Sequence, residues 1–270
     1  GLAHAVQTGQ TFLGSSPFLV FLGDNIFQDR LSTLAEEYAE KPEEALIVVK
    51  QVPNPQAFGV VEVDSAGRPT RLVEKPKEPK SDLAIVGIYF FPPPVHGIIA
   101  TLKPSWRGEL ELTDTIQGLI DRGHTVRLHV LKGWWLDTGR KDDMLEANRT
   151  LLKANARRNI QGSVDAASEL TGAVEVGPGA TVQRSVIEGP VVIGEGCHIV
   201  GARIGPYTSV GAGTRIEGYA VSDSIVMEHC ILTGAGEMAQ SLIGRHCHIV
   251  GAGSGATLRA LLGDYTQLEA

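Results

Sequence analysis

Residues 191–210 read VVIGEGCHIVGARIGPYTSV, in which an aliphatic residue followed by glycine or a small residue returns about every six positions. The pattern runs outward in both directions: Val176-Gly177, Val182, Ile187, Ile193-Gly194, Ile199, Ile204-Gly205, Val210-Gly211 and Ile216, then Ile225, Ile231, Ile243-Gly244, Ile249 and Leu262-Gly263. The segment CHIVGA stands at 197–202 and again at 247–252, a recurrence that chance periodicity does not produce. Six residues make one face of a triangular coil. One aliphatic side chain per face points inward, and stacked coils bury a continuous core. Residues 161–270 therefore read as a parallel β-helix of about five coils. Leu232 to Ser241 breaks the pattern and reads as a protruding loop or an irregular coil, while Cys197 and Cys247 occupy small inward positions as packing residues.

Upstream of about residue 160 the chain is built differently. Residues 1–162 hold 14 of the 32 glycines and every Lys and Trp, whereas 163–270 hold 18 glycines and neither Lys nor Trp. The sequence predicts a helix over Ala3 to Leu13, strands at 18–22, 46–50, 84–91 and 126–131, and a hairpin of 59–63 with 70–74. It predicts further helices at 31–38, 95–102, 114–121 and 142–156. Such alternation points to a mixed, largely parallel sheet with helices on both faces, in an α/β domain over 1–160. Ligands of such sheets sit beyond the carboxyl ends of strands.

Composition excludes several classes. With 43% hydrophobic and 20% charged residues in 270, the chain is too apolar for disorder and its apolar residues too dispersed for a membrane span. Acids exceed bases 31 to 24, against the Lys/Arg surplus that nucleic-acid binding needs. Three cysteines without a CxxC spacing indicate neither a disulfide framework nor a zinc site, so a cytoplasmic setting is expected. The chain opens at Gly1 without Met, basic segment or apolar leader, and reads as truncated.

Asp24 and Asp137 each follow an apolar run and each lie in a turn with glycine. Two carboxylates meeting at one sheet edge suit Mg²⁺, which takes oxygen ligands and bridges to substrate phosphates; two separate turn or helix caps explain the same residues. Glu74-Lys75 ends a strand, where a carboxylate accepts sugar hydroxyls and an ammonium meets phosphate, or where a solvated pair simply caps the strand. Gly59 admits either a ligand at its backbone or a bulge. RGELELTD at 107–114 reads as a loop leading to a helix N-cap at Thr113 or Asp114, serving either simple capping or a ligand-facing role.

Taken in order, LGDNIF (22–27), FGVVE (58–62), EKP (74–76), VGIYFF (86–91), RGELELTD (107–114) and WLDTG (135–139) resemble the sugar-phosphate nucleotidyltransferase family. The resemblance is closest to its glucose-1-phosphate thymidylyltransferase branch, in the long form that carries hexapeptide repeats. It implies a Rossmann-like nucleotidyltransferase domain with a mixed sheet, followed by a left-handed parallel β-helix. The implied reaction joins a sugar 1-phosphate to a nucleoside triphosphate, here dTTP, and releases pyrophosphate. Asp24 and Asp137 would hold the Mg²⁺, Glu74 and the Gly59 amide the sugar hydroxyls, and Lys75 the sugar phosphate. Ile85 would line the sugar pocket, and Gly1 would lie close to the nucleotide base. The family's GGxGTRLxP loop has no counterpart, so about the first eighty residues of the resemblance are missing and this chain is expected to be inactive by itself. His4 stands where close relatives carry Gln. A uridylyltransferase, a β-helix that transfers acetyl groups through His198, His229, His246 or His248, and a non-catalytic regulatory subunit are the alternatives. The β-helix is otherwise expected to assemble homo-oligomers.

Overall fold

The computed structural model describes residues 1–269; Ala270, which ends the expected repeat domain, lies outside the described residues. Contacts divide the chain into two compact units, Gly1–Asp137 and Thr138–Ala270. The first unit runs α1 (Leu2–Thr8), α2 (Gln10–Leu13), β1 (Phe18–Phe21), β2 (Asn25–Phe27), α3 (Leu31–Ala39), β3 (Ala45–Gln51) and β4 (Gly59–Val63). It continues through β5 (Pro69–Glu74), β6 (Leu83–Phe91), α4 (Val95–Ile99), α5 (Leu112–Asp121), β7 (Val126–Val130) and β8 (Trp135–Asp137). The helix expected over Ala3 to Leu13 is two helices, interrupted at Gly9.

Six strands form one sheet in the order β5-β4-β6-β3-β7, with β1 also on β6. The sheet is mixed, but the expectation of a largely parallel one is corrected: among its described strands only β3 and β7 run parallel. The reason lies in β6, a nine-residue apolar strand against which β1, β3 and β4 all run antiparallel. Its faces are covered on both sides. Ile47, Val49, Ile85, Tyr89 and Phe91 pack under α1, α4 and α5, while Leu46, Val48, Val86, Ile88 and Phe90 pack against Leu34 and Tyr38 of α3.

Residues 88–91 of β6 lie between β3 and β1, whereas Ala84 lies between β3 and β4, so β1 and β4 share one edge of β6 in succession. Between them the edge is split at Ile85–Gly87. Here Val86, Gly87 and Ile88 together face the single Val48, a bulge that bends β6, and Gly87 takes φ +72. That φ strains any residue with a Cβ, and a Cβ here would also lie 3.0 Å from both the Asn25 amide and Leu22.

The second unit opens with α6 (Lys141–Asn155) and continues as a parallel β-solenoid whose strands stack rung on rung. One face carries seven stacked strands, about six turns instead of about five. Early turns contain seventeen residues, as in the column Thr181, His198, Arg215, which explains why the six-residue spacing slips. The turn from Ser209 to Ile225 has sixteen, so Ile225 and Ile231 leave the inward register and Val226 and Leu232 fill the core in their place. Of the protruding loop or irregular coil expected at 232–241, the structure has the irregular coil: strand Ile231–Ala239 is paired on both sides, with register shifts against each neighbour. Gly234-Ala235-Gly236 erases the aliphatic signal there while the backbone ladder continues, and the buried Tyr219 ring, lying against Gly236, supplies the apolar bulk.

Cys197, Cys230 and Cys247 are buried and unpaired, with their thiols donating to the carbonyls of Gly211, Gly244 and Gly263. Helix α6 belongs to this unit by contact: Arg149 donates to Asp223 through Nε and Nη2 at 2.6 Å each, and Asn148 donates to the Tyr207 carbonyl. The compositional change near 160 therefore falls one helix beyond the division of contacts. Among the described residues no helix is long and apolar enough to cross a membrane.

Ile199 is fully buried in the middle of the solenoid core. Ile199→Ala should cost about 3 kcal/mol of the solenoid's stability, by lost burial and a residual cavity. Denaturant unfolding followed by far-ultraviolet circular dichroism checks this, and a loss below about 1 kcal/mol contradicts the packing described.

Candidate active site

The split edge of β6 opens into a cavity of about 250 Å³. Gly59, Glu74, Lys75, Ile85 and Asp137 of the expected set line it, together with Asn25, Phe58, Gly87, Tyr89, Arg107, Glu111, Thr113 and Trp135. Asp24 precedes the lining residue Asn25. Gly1 precedes the lining residue Leu2 and packs against the Leu110 backbone, 2.7 Å separating the place of a Cβ from the Leu110 nitrogen.

A short antiparallel ribbon, β2 with β8, brings the two aspartates together. Asn25 pairs with Asp137 across it, which sets Asp24 and Asp137 at one end despite a separation of more than a hundred residues in sequence. The pairing that brings their backbones near is this ribbon and not an edge of the main sheet. Asn25 is buried and oriented from both sides. Trp135 Nε1 donates to its Oδ1 at 2.7 Å, so its Nδ2 is turned to donate to Asp24 Oδ1 at 2.8 Å. The Trp135 ring meets Phe58 edge-on at 5.0 Å, joining the ribbon to the residue before Gly59.

Gly59 stands opposite Glu74 in the β4–β5 hairpin. A Cβ on Gly59 would lie 2.8 Å from Thr113 Cγ2 and 3.2 Å from Glu74 Oε2, so only glycine leaves the floor of the cavity open. Lys75 leaves the strand with φ +44, a conformation that costs a side-chain-bearing residue about 1 kcal/mol and marks a constrained position. Its N–H still donates to the Phe58 carbonyl at 3.0 Å.

Glu74 sits in a charged cluster whose members the sequence shows but whose contacts it hides. Arg107 Nη1 lies 3.6 Å from Glu74 Oε1 and 3.3 Å from Glu111 Oε1, and its Nη2 lies 3.4 Å from Glu109. Helix α5 starts at Leu112 with Glu111 as its N-cap residue, correcting the cap expected at Thr113 or Asp114. Thr113, freed from capping, donates to Glu74 Oε2 at 3.4 Å. Burial, with the negative charge of Glu111, raises the Glu74 carboxyl above its ordinary range, although Lys75, Arg107 and the Thr113 hydroxyl pull it back. Burial raises the Tyr89 hydroxyl as well, with help from Glu74 and Glu111, so it faces the cavity as a neutral donor. Among the lining residues, Asn25, Gly87, Tyr89 and Trp135 had no role in the reading of the sequence, whereas Arg107 and Glu111 belong to the loop for which a ligand-facing role stood beside simple capping. All lie within the quoted motifs, which was the available signal.

Residues 1–154 match the model of the nucleotidyl transferase family, and the chain belongs to that family. It is 45% identical over 235 residues to a glucose-1-phosphate thymidylyltransferase of Streptomyces antibioticus, covering 87% of this chain and 66% of the relative. It is 42% identical over 234 residues to the glucose-1-phosphate thymidylyltransferase of Streptomyces griseus, with the same coverages of 87% and 66%. The chain thus spans just under two thirds of these relatives' length. Among solved structures, a UDP-glucose pyrophosphorylase complexed with UDP-glucose superposes with a TM-score of 0.53 at 25% identity, covering 57% of this chain and 63% of that one.

A carboxyl group raised by burial opposes folding when ionised. For Glu74 that cost is fully present above its native value and absent below its unfolded one. Glu74→Gln should therefore raise the melting temperature at neutral pH, and the gain should vanish as pH falls to about 4. Thermal melts of both proteins across that range decide it, since a gain independent of pH contradicts the raised carboxyl.

Proposed function

We propose that the protein transfers a thymidylyl group from dTTP to glucose 1-phosphate, giving dTDP-glucose and pyrophosphate in a Mg²⁺-dependent reaction, with 1–160 as its catalytic part. The observation that carries this reading is the meeting in one cavity of half-buried Glu74, its neighbour Lys75 and the ribbon that bears Asp24 and Asp137. The Streptomyces relatives' names supply the sugar and the base.

Glu74 and the Gly59 amide take the sugar hydroxyls, and Ile85 lines the sugar's apolar side. Lys75 holds the phosphate as a point charge. Gly1, lacking a side chain against Leu110, lets the nucleotide base approach closely. A phosphate oxygen of the sugar attacks the α-phosphorus of the triphosphate, and the bond to the bridging oxygen breaks as pyrophosphate leaves in line. The chain's residues act by holding the reacting groups in line and matching their charge, with no covalent intermediate.

Asp24 and Asp137 would hold the Mg²⁺, which when bound offsets the negative charge of the phosphates. Their donor chemistry fits: Mg²⁺ binds through one or two carboxylates and completes its shell from substrate phosphate and water. Among the described residues no cluster of three or more His, Cys, Asp or Glu assembles around a metal position. Charge supports the same reading. The cavity is lined by four carboxylates, Glu74, Glu109, Glu111 and Asp137, against Lys75 and Arg107, a surplus that a divalent cation offsets before an anionic substrate enters. We assign the solenoid, whose outer surface exposes Val186, Ile231 and Leu261, to assembly with further copies.

Pyrophosphate release from glucose 1-phosphate by the full-length protein, with dTTP and UTP in parallel, tests the assignment. The expected result is dTTP-dependent release, reduced at least about 100-fold in Asp24→Asn. Preference for UTP moves the reading to a uridylyltransferase. Silence with both nucleotides favours a regulatory subunit, and unchanged turnover in Asp24→Asn removes the metal assignment.

A further inference from the structure

Glu111 is 3% exposed, yet it gives helix α5 no side-chain capping bond. Its Oε1 instead accepts from Ser105 Oγ at 2.9 Å and from Arg107 Nη1 at 3.3 Å. A glutamine would accept the Ser105 hydrogen bond without the cost of burying a charge. What a carboxylate adds is its pull on the guanidinium.

The distances show what that pull does. Where one guanidinium serves one main carboxylate partner, as Arg149 serves Asp223, the contacts close to 2.6 Å. Arg107 faces three carboxylates and closes on none: 3.3 Å to Glu111, 3.4 Å to Glu109 and 3.6 Å to Glu74. Glu109 is the most exposed of the three and is screened by solvent, so Glu111 is the effective competitor with Glu74 for the cation.

We propose that Glu111 is a positioning residue, whose buried carboxylate draws the Arg107 guanidinium off Glu74 and so keeps the Glu74 carboxylate available to sugar hydroxyls. The inference rests on reading this cavity as the sugar-phosphate site. Without the Glu111 charge, Arg107 collapses onto Glu74 as a closed ion pair and occupies the oxygens that the sugar needs. The groups facing Glu74 are Lys75, Arg107, Glu111, the Thr113 hydroxyl and Tyr89, so removal of Glu111's charge leaves Glu74 beside two cations and no buried anion.

The test is calorimetric titration of the 270-residue chain with glucose 1-phosphate across pH, for wild type, Glu111→Gln, Glu111→Asp and Glu74→Gln. Glu111→Gln should weaken binding about tenfold at neutral pH, while the acidic midpoint at which binding is lost moves to lower pH. A wall merely loosened by substitution weakens binding and leaves that midpoint in place. Glu111→Asp keeps the charge and shortens the arm, so it should weaken binding with the midpoint close to that of wild type; it also decides the matter if the glutamine variant does not fold. Wild-type affinity in either Glu111 variant, or an unmoved midpoint in Glu111→Gln, overturns the proposal. If wild type does not bind, or Glu74→Gln binds equally well, the sugar-site reading falls and takes this inference with it.

Discussion

The site depends on a break in one strand. β6 is the shared partner of three others, and its ladder is interrupted where Val86, Gly87 and Ile88 stand opposite Val48 alone. That bulge ends the reach of β1, lets Leu22 donate to the Gly87 carbonyl at 2.9 Å, and turns the following residues out of the sheet into the ribbon that carries Asn25. β4 begins on the same edge of β6 at its other end, with Gly59 at its mouth. A continuous ladder would leave no cavity between β1 and β4. The geometry of the cavity is therefore a consequence of backbone pairing, with side chains added to an opening that pairing creates.

Around that opening two groups of side chains are kept in mutual register. Asp24, Asn25, Trp135 and Phe58 form a connected path from the aspartates to Gly59 through two hydrogen bonds and one ring contact. Glu74, Arg107, Glu111 and Ser105 form the other, where more negative charge is buried than the cation can match. Such an arrangement opposes folding, and on the proposed function the binding of a hydroxylated, phosphorylated ligand is what would offset it. On the proposed function the two groups divide the labour: one would orient hard oxygen donors, the other would meter how much of a carboxylate remains free to accept hydrogen bonds.

Much of this was legible in the sequence, and what was not has identifiable causes. The solenoid announced itself because each turn must present an aliphatic residue to its axis, and Ile187, Ile193, Ile199 and Ile204 do so. Its register past Ser209 was not legible, since a sixteen-residue turn exchanges Ile225 for Val226 and Ile231 for Leu232, pairs of equal hydrophobicity. Strand direction in the first unit was misread because helical segments between strands imply parallel crossovers, whereas β6 collects antiparallel neighbours. Asp24, Glu74, Lys75 and Asp137 were recognisable as an ordered set of motifs. Glu111 and Arg107 stood in one of those motifs, but Arg107 bridges Glu111 to Glu74, more than thirty residues away, and periodicity carries no information about such contacts.

The central claim is that the cavity at the split edge of β6 receives a sugar phosphate on Glu74 and Lys75. A crystal structure of the chain soaked with glucose 1-phosphate tests it most directly. The account predicts a sugar ring between Gly59 and Ile85 with hydroxyls on Glu74, its phosphate beside Lys75 and facing the ribbon of Asp24 and Asp137. A ligand bound outside this cavity, or one whose phosphate points toward Glu111 and away from the ribbon, would contradict it.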